Sequence, residues 1–323
     1  MIVLLNRFAP MKWSVLAAMA LFISYPALAQ PPTAVLPEPL LAADVPAGKI
    51  VPDVLRCLRD RNTTLVSAHR GGWGPGFPEN AIETLAHTLS RGPLIIEIDI
   101  RRTADGVLVV LHDDTLERTT TGTGAVSELM MEEISNLQLV DTEGTVTDFR
   151  VPLLGEVLEW ARGRALLQLD VKSSVPVEEV VAAVAEHDAI GYSAVVSYTL
   201  EDALRAAAAN PRVALSIEIT DRERLEALIA AGVAPGRIMA WSGVHPAPVP
   251  DIWAMLREAD IPVAFGALWY IDTAVSDTGD ASIYSEIADG GVAVIATDLH
   301  WTAYDTLATR QDTLAAYRAC LSP

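Results

Sequence analysis

Short apolar runs alternate with amphipathic segments from about residue 64 to the end of the chain. The runs cover residues 64–69 (TLVSAH), 94–100 (LIIEIDI), 165–171 (ALLQLDV), 194–199 (AVVSYT), 213–219 (VALSIEI), 237–242 (RIMAWS), 262–268 (PVAFGAL) and 292–297 (VAVIAT). They are apolar almost without interruption, as expected of strands buried on both faces of a parallel sheet. Segments such as PVEEVVAAVAEH, LEDALRAAAAN, DRERLEALIAAG and VPDIWAMLREAD lie between them, with apolar positions at helical spacing. Eight strand–helix repeats predict an α/β fold, a (β/α)8 TIM barrel over residues 61–323. The competing open doubly wound sheet is disfavoured, because HRGGWG lacks the G-x-G-x-x-G order of a dinucleotide loop.

One interval breaks the rhythm. Residues 101–164, after the second strand, are too many for one crossover helix, and they include a further strand-like run, GVLVVLHD. We expect a small insertion here, with helices over 127–137 and 154–162, capping one edge of the barrel. Insertions in βα loops fall on the face where barrel active sites are built.

Composition narrows the functional classes. A chain of 323 residues that is 51% hydrophobic has material for a large core. Its formal charge of −19 argues against nucleic acid or an anionic membrane surface as partner. The N-terminus reads differently: Arg7 and Lys12, an apolar run from Trp13 to Tyr25, then Ala27-Leu28-Ala29. This predicts a signal peptide over 1–29, cleaved near Ala29, with residues 30–60 as a lead-in to the barrel. The run is short of the roughly 20 residues a membrane span needs, so a secreted or periplasmic protein without stable membrane insertion is expected. Export makes the two cysteines, Cys57 and Cys320, a candidate disulfide.

Polar residues gather where strands end. Glu97 and Asp99 stand two apart in an apolar run, as do Asp170 and Lys172, and side chains two apart on a strand share a face. His69 and Arg70 close the first strand, and His112 closes the inserted one. A lone E-x-D or D-x-K is more often an internal ion pair, and a lone histidine a structural hydrogen-bonder. Their joint occurrence at matching strand ends favours a hard cation held by Glu97, Asp99 and Asp170, flanked by two histidines. No serine or cysteine nucleophile accompanies His69 or His112, so any nucleophile must come from water or substrate.

The segments AHRGGWGPGFPENAIETLAHTL, IIEIDIRRTADGVLVVLHDDTLERTTTGTG, VPLLGEVLEW, LLQLDVK and GGVAVIATD resemble glycerophosphodiester phosphodiesterases. That resemblance implies a barrel with a small insertion after the second strand, hydrolysing a small-molecule glycerophosphodiester to glycerol 3-phosphate and an alcohol with Ca²⁺ or Mg²⁺. It implies that His69 and His112 are the acid–base pair, that Glu97 and Asp99 bind metal, and that Arg70 contacts phosphate; Lys172 is a second candidate substrate contact. The family's third metal ligand is a glutamate, whereas here Asp170 stands two before Lys172. The GWGPGF loop is longer than usual, and His300 replaces a common proline.

Two other readings stay open: a phospholipase D-like enzyme of the sphingomyelinase D type acting on lysophospholipid head groups, and an inactive barrel that binds phosphorylated ligands. Choline release from glycerophosphocholine against lysophosphatidylcholine separates the first, and any metal-dependent turnover excludes the second. Elsewhere, Asn80 with Glu83 reads as a capping box, Glu79 as a support for Arg70, and Trp241 and Trp269 as pocket lining or core. His87 is expected at the surface, and His245 and His300 in solvated loops.

Overall fold

The computed structural model describes residues 45–321. The signal peptide expected over residues 1–29 and most of the lead-in therefore lie outside the described residues. The last part of the lead-in is ordered: Val51–Arg59 is a helix, with Pro52 in its first turn and Val51, Val54, Leu55 and Leu58 in the core.

Among the described residues eleven strands follow: β1 (Leu65–Ala68), β2 (Ile95–Arg102), β3 (Leu108–Val110), β4 (Gln138–Val140), β5 (Val146–Arg150), β6 (Leu166–Val171), β7 (Ser193–Ser197), β8 (Ala214–Glu218), β9 (Ile238–Val244), β10 (Val263–Gly266) and β11 (Val294–Thr297). Parallel pairing runs β1-β2-β6-β7-β8-β9-β10-β11 and returns to β1, with Leu65 opposite Val294. Eight parallel strands thus close a (β/α)8 barrel, and the eight apolar runs of the sequence are its staves. Closure leaves no unpaired edge within the ring.

The interior carries a polar layer below the mouth. Gln168 Nε2 donates to Ser216 Oγ at 3.0 Å, and Ser67 Oγ donates to Gln168 Oε1 at 3.4 Å. These buried groups satisfy one another, as they must where water is excluded. They also mark which residues face inward, and the inward positions two residues further along each strand line the mouth.

The insertion after β2 is present, with different contents from those expected. β3 pairs antiparallel with β2, Ile100 opposite Val110. In place of a helix over 127–137 there is a short turn at Val126–Glu128 and a four-residue helix, Met131–Ile134. β4 and β5 form a hairpin around the turn at Asp141; the helix at Leu154–Ala161 agrees with expectation. A second small core holds the insertion together, built from Val109, Leu111, Leu116, Val126, Ile134, Leu139 and Val151 with Ala81. Asp141 staples it to the GWGPGF loop: its carboxylate accepts from the Gly76 N–H at 2.7 Å and from Thr145 N–H at 2.8 Å in its own turn.

The helix at Thr313–Leu321 lies against the one at Val51–Arg59, and Tyr317 Oη donates to the Thr64 carbonyl at 3.1 Å. Cys57 and Cys320 are joined in a disulfide, with Cα atoms 5.8 Å apart, within the usual range. The bridge closes a loop of 263 residues. The chain-entropy account assigns such a loop on the order of 5 kcal/mol, an upper figure. Thiol labelling of the denatured, unreduced protein should find no free thiols, and the double variant Cys57→Ser/Cys320→Ser should unfold at lower denaturant. Two labelled thiols would contradict the bridge.

Candidate active site

Parallel register sets the mouth of the barrel. Glu97 pairs with Gln168 and Asp99 with Asp170, so the carboxylates of β2 and β6 stand side by side. Ser67 pairs with Ala296, which brings His69 and Asp298, each two residues on, next to each other. The structure brings all seven predicted site residues together at one end.

Ligand atoms of Glu97, Asp99 and Asp170 lie within 4.8 Å of one another. Lys172 Nζ sits 2.6 Å from both Asp99 Oδ1 and Asp170 Oδ2. The lysine predicted to meet substrate is therefore clamped between two carboxylates, its pKa raised because their attraction outweighs its burial. Asp99 is held low: Lys172 and, through space, His112 favour its ionised form over the opposing effect of burial. Glu97 shows what remains unbalanced. Burial first, then Asp99 and Asp170, push it up to about 8, although His69 and the Arg70 amide act against this. One lysine does not neutralise three carboxylates. The donor set is all oxygen, buried and short of positive charge, which fits a hard divalent cation.

The HRGG turn after β1 aims the backbone at this cluster. Arg70 adopts a left-handed conformation, φ 49°, and its N–H donates to Glu97 Oε2 at 2.7 Å. Gly71 and Gly72 follow with φ 84° and 81°, and a Cβ on Gly71 would lie 2.3 Å from Leu85 Cδ2. Only glycine fits there. Asn80, also left-handed at φ 65°, donates from Nδ2 to Asp99 Oδ2 at 2.8 Å and accepts the Asp99 N–H at 3.1 Å. The capping-box reading of Asn80 is thereby corrected: Ala81 precedes the helix Ile82–Leu89, and Asn80 is spent fixing a carboxylate.

Each histidine is oriented through Nδ1. His69 Nδ1 is 2.8 Å from Asp298 Oδ1, and His112 Nδ1 is 2.7 Å from Asp113 Oδ1. Carboxylates at these positions favour the Nδ1–H tautomer and leave each Nε2 as an acceptor. Burial would lower the His69 pKa, but the hydrogen bond to Asp298 and the charge of Glu97 raise it overall. On the other side, Arg70 Nη2 donates to His112 Nε2 at 2.8 Å. Buried Glu79 accepts from Arg70 at 3.2 Å and from Arg118 at 2.7 Å, supporting Arg70 as expected. Arg118 Nε also donates to Asp113 Oδ2 at 2.6 Å. Arg101 donates to the His112 carbonyl at 2.6 Å and pairs with Asp114, fixing the end of the inserted strand.

Comparisons with known proteins agree with this geometry. The model of the glycerophosphoryl diester phosphodiesterase family matches residues 69–264. The chain belongs to that family. A glycerophosphodiester phosphodiesterase of Caldanaerobacter subterraneus subsp. tengcongensis is 36% identical over 132 residues, 39% of this chain and 54% of the relative. Glycerophosphodiester phosphodiesterase 1 of Homo sapiens is 34% identical over 122 residues, 36% of this chain and 37% of that one. The matched stretch thus spans about half or less of these curated relatives. A solved glycerophosphoryl diester phosphodiesterase from Parabacteroides distasonis is 32% identical, with TM-score 0.75, covering 83% of this chain and 94% of its own.

Within this glycerophosphoryl diester phosphodiesterase family member, several functional partners were missed in the sequence. Asp298 is the main one; its own N–H donates to buried Asp272 at 2.7 Å, and Asp272 also accepts from Thr297 and Tyr284. Tyr198 Oη donates to Asp170 Oδ1 at 2.6 Å. Asp113 and Arg118 complete the set. The HDD string carried the signal for Asp113, which directly follows a candidate histidine. His300 is corrected: it begins the helix His300–Ala308 and is buried, its low pKa of about 4 set chiefly by burial. His87, expected at the surface, stacks half-buried on Phe77.

The Glu97 shift has a measurable consequence. Its folded-state value of about 8 lies above its ordinary value of 4.5, so the folded chain holds an extra proton between those limits. Stability in chelator should therefore fall as pH rises through that window, and His69, whose value is also raised, acts in the same direction. A divalent cation favours the ionised cluster, so Ca²⁺ should raise Tm by a few °C at pH 8 and by less at pH 5.5. Calorimetry at the two pH values checks this; an equal shift at both would contradict it.

Proposed function

We propose that this chain is an exported glycerophosphodiester phosphodiesterase that uses a divalent cation, Ca²⁺ or Mg²⁺, and the pair His69 and His112 to release glycerol 3-phosphate and an alcohol. The observation that carries the reading is the junction of an oxygen-only, charge-deficient carboxylate cluster with two histidines, each oriented by its own aspartate. Family membership supports the reaction class. The apolar N-terminal segment and the disulfide support export to an oxidising compartment.

Glu97, Asp99 and Asp170 would hold the cation, which when bound supplies charge neutralisation for the phosphodiester and lowers the pKa of a hydroxyl. Arg70 lies between Glu79 and His112, where its guanidinium can turn to a phosphate oxygen while Glu79 keeps it in the mouth. One histidine takes the proton of the attacking hydroxyl and the other gives a proton to the departing alkoxide, roles suited to a group that titrates near neutrality. Asp298 and Asp113 hold the two rings in the tautomer whose Nε2 accepts, and that of His112 is freed as Arg70 turns to the phosphate. No serine or cysteine nucleophile was found beside the histidines in sequence, which favours the substrate's own glycerol hydroxyl as attacking group, giving a cyclic phosphate that water then opens. A held intramolecular hydroxyl gains effective molarities of roughly 10⁵ M or more.

Chelated protein should release no glycerol 3-phosphate from glycerophosphocholine, and Ca²⁺ or Mg²⁺ should restore release. His112→Ala should lose about 10²- to 10⁴-fold in kcat while remaining folded. Full activity in chelator, or of Asp99→Ala, would overturn the metal reading. A 2-deoxyglycerol analogue should bind yet turn over far more slowly than the parent, and equal rates would mean that water attacks directly.

A further inference from the structure

The chemistry occupies one half of the mouth, β11-β1-β2-β6. The other half carries no candidate catalytic group, but its residues are neither apolar filler nor solvated loop. Inward positions follow from register: Gln168 pairs with Ala194, Val196 with Ser216, and Ser216 with Met239. Two residues further along these strands stand Asp170, Tyr198, Glu218 and Trp241, in that order around the rim.

Tyr198 is 58% exposed and leans toward β6, its hydroxyl on Asp170. Glu218 is the exposed end of an otherwise buried strand, and its carboxylate has no ion pair or hydrogen bond among the described residues. Trp241 pairs directly with Glu218. Its ring lies across β10 where Gly266 has no side chain; a Cβ there would meet the indole at 2.8 Å. Just past β10, Trp269 is 65% exposed, with φ 66° and ψ −63°. The Tyr270 N–H donates to the Leu268 carbonyl at 2.8 Å, closing a γ-turn of the strained, positive-φ type around it. An exposed indole held in a strained turn serves no packing purpose.

We propose that Tyr198, Glu218, Trp241 and Trp269 form a head-group subsite that selects a diester whose alcohol is a quaternary ammonium alcohol of the choline type. The subsite rests on the reading of the mouth as a glycerophosphodiester site. Aromatic faces attract a cation that is weakly hydrated, and the free Glu218 carboxylate gives that end of the mouth the sign opposite to the one the phosphate end needs. Arg70 attracts the anionic half of such a substrate, and Glu218 with the indoles attracts the cationic half. A neutral alcohol such as glycerol gains neither contact.

Calorimetric titration tests this on the full chain carrying His112→Ala, with Ca²⁺ present, so that binding is read without turnover. Glycerophosphocholine should bind about tenfold more tightly than glycerophosphoglycerol, the size of one favourable cation–aromatic contact. Adding Glu218→Gln or Trp269→Ala, both at exposed positions, should bring the two ligands to within about twofold and leave glycerophosphoglycerol unchanged. Equal affinities, a preference that survives both substitutions, or no binding of either diester would overturn the subsite. Turnover of both diesters by the unsubstituted protein with equal kcat/KM would remove the subsite and leave the hydrolytic reading standing. Selective binding without glycerol 3-phosphate release would do the reverse.

Discussion

Like charges held close together govern this molecule. Three carboxylates converge within 4.8 Å at the end of a barrel whose walls are apolar, and mutual repulsion in a low-dielectric setting would disperse them unless other groups opposed it. Each neighbouring element supplies an opposing interaction. β6 contributes Lys172, the HRGG turn contributes the Arg70 amide, the following loop contributes Asn80, and Tyr198 donates to Asp170. Two non-glycine residues, Arg70 and Asn80, take left-handed backbone conformations to do so.

The barrel and the insertion divide the work. Barrel strands fix the carboxylates by hydrogen-bonded register, which tolerates little displacement. His112, Asp113 and Arg118 belong to the insertion, whose own core is small. It joins the barrel through the β2–β3 ladder, and polar links add to this at the mouth, Arg118 to Glu79 and Asp141 to the Gly76 amide. The two histidines are thus carried by different units, the barrel and its insertion, and Glu79, touching both Arg70 and Arg118, links them.

Much of this is legible in the sequence. The eight barrel strands announce themselves because each is buried on both faces and so reads as an unbroken apolar run. Glu97, Asp99, Asp170 and Lys172 follow from two-residue periodicity, His69 and His112 from their places at strand ends, and the role of Arg70 from the family resemblance. Other features were hidden for specific reasons. Asp298 meets His69 across 229 residues, through a pairing that exists only once the barrel closes. The β4–β5 hairpin is polar and half exposed, leaving no periodic signal. Asn80 mimicked a cap because N-x-x-E spacing also arises where an asparagine turns away from the helix to serve a carboxylate. His300 was placed in solvent because nothing local indicates that Gly72 leaves it room beneath the turn, the ring 3.0 Å from where a Cβ would stand.

The bridge between Cys57 and Cys320 has a mechanical meaning as well. It joins the first described helix to the last, so the polypeptide between them is a covalent ring containing every barrel strand. Tension applied to the two chain ends would pass through the sulfur atoms and not through the sheet. The strand ladders, and the carboxylate cluster they align, would feel almost none of the load until the link was reduced.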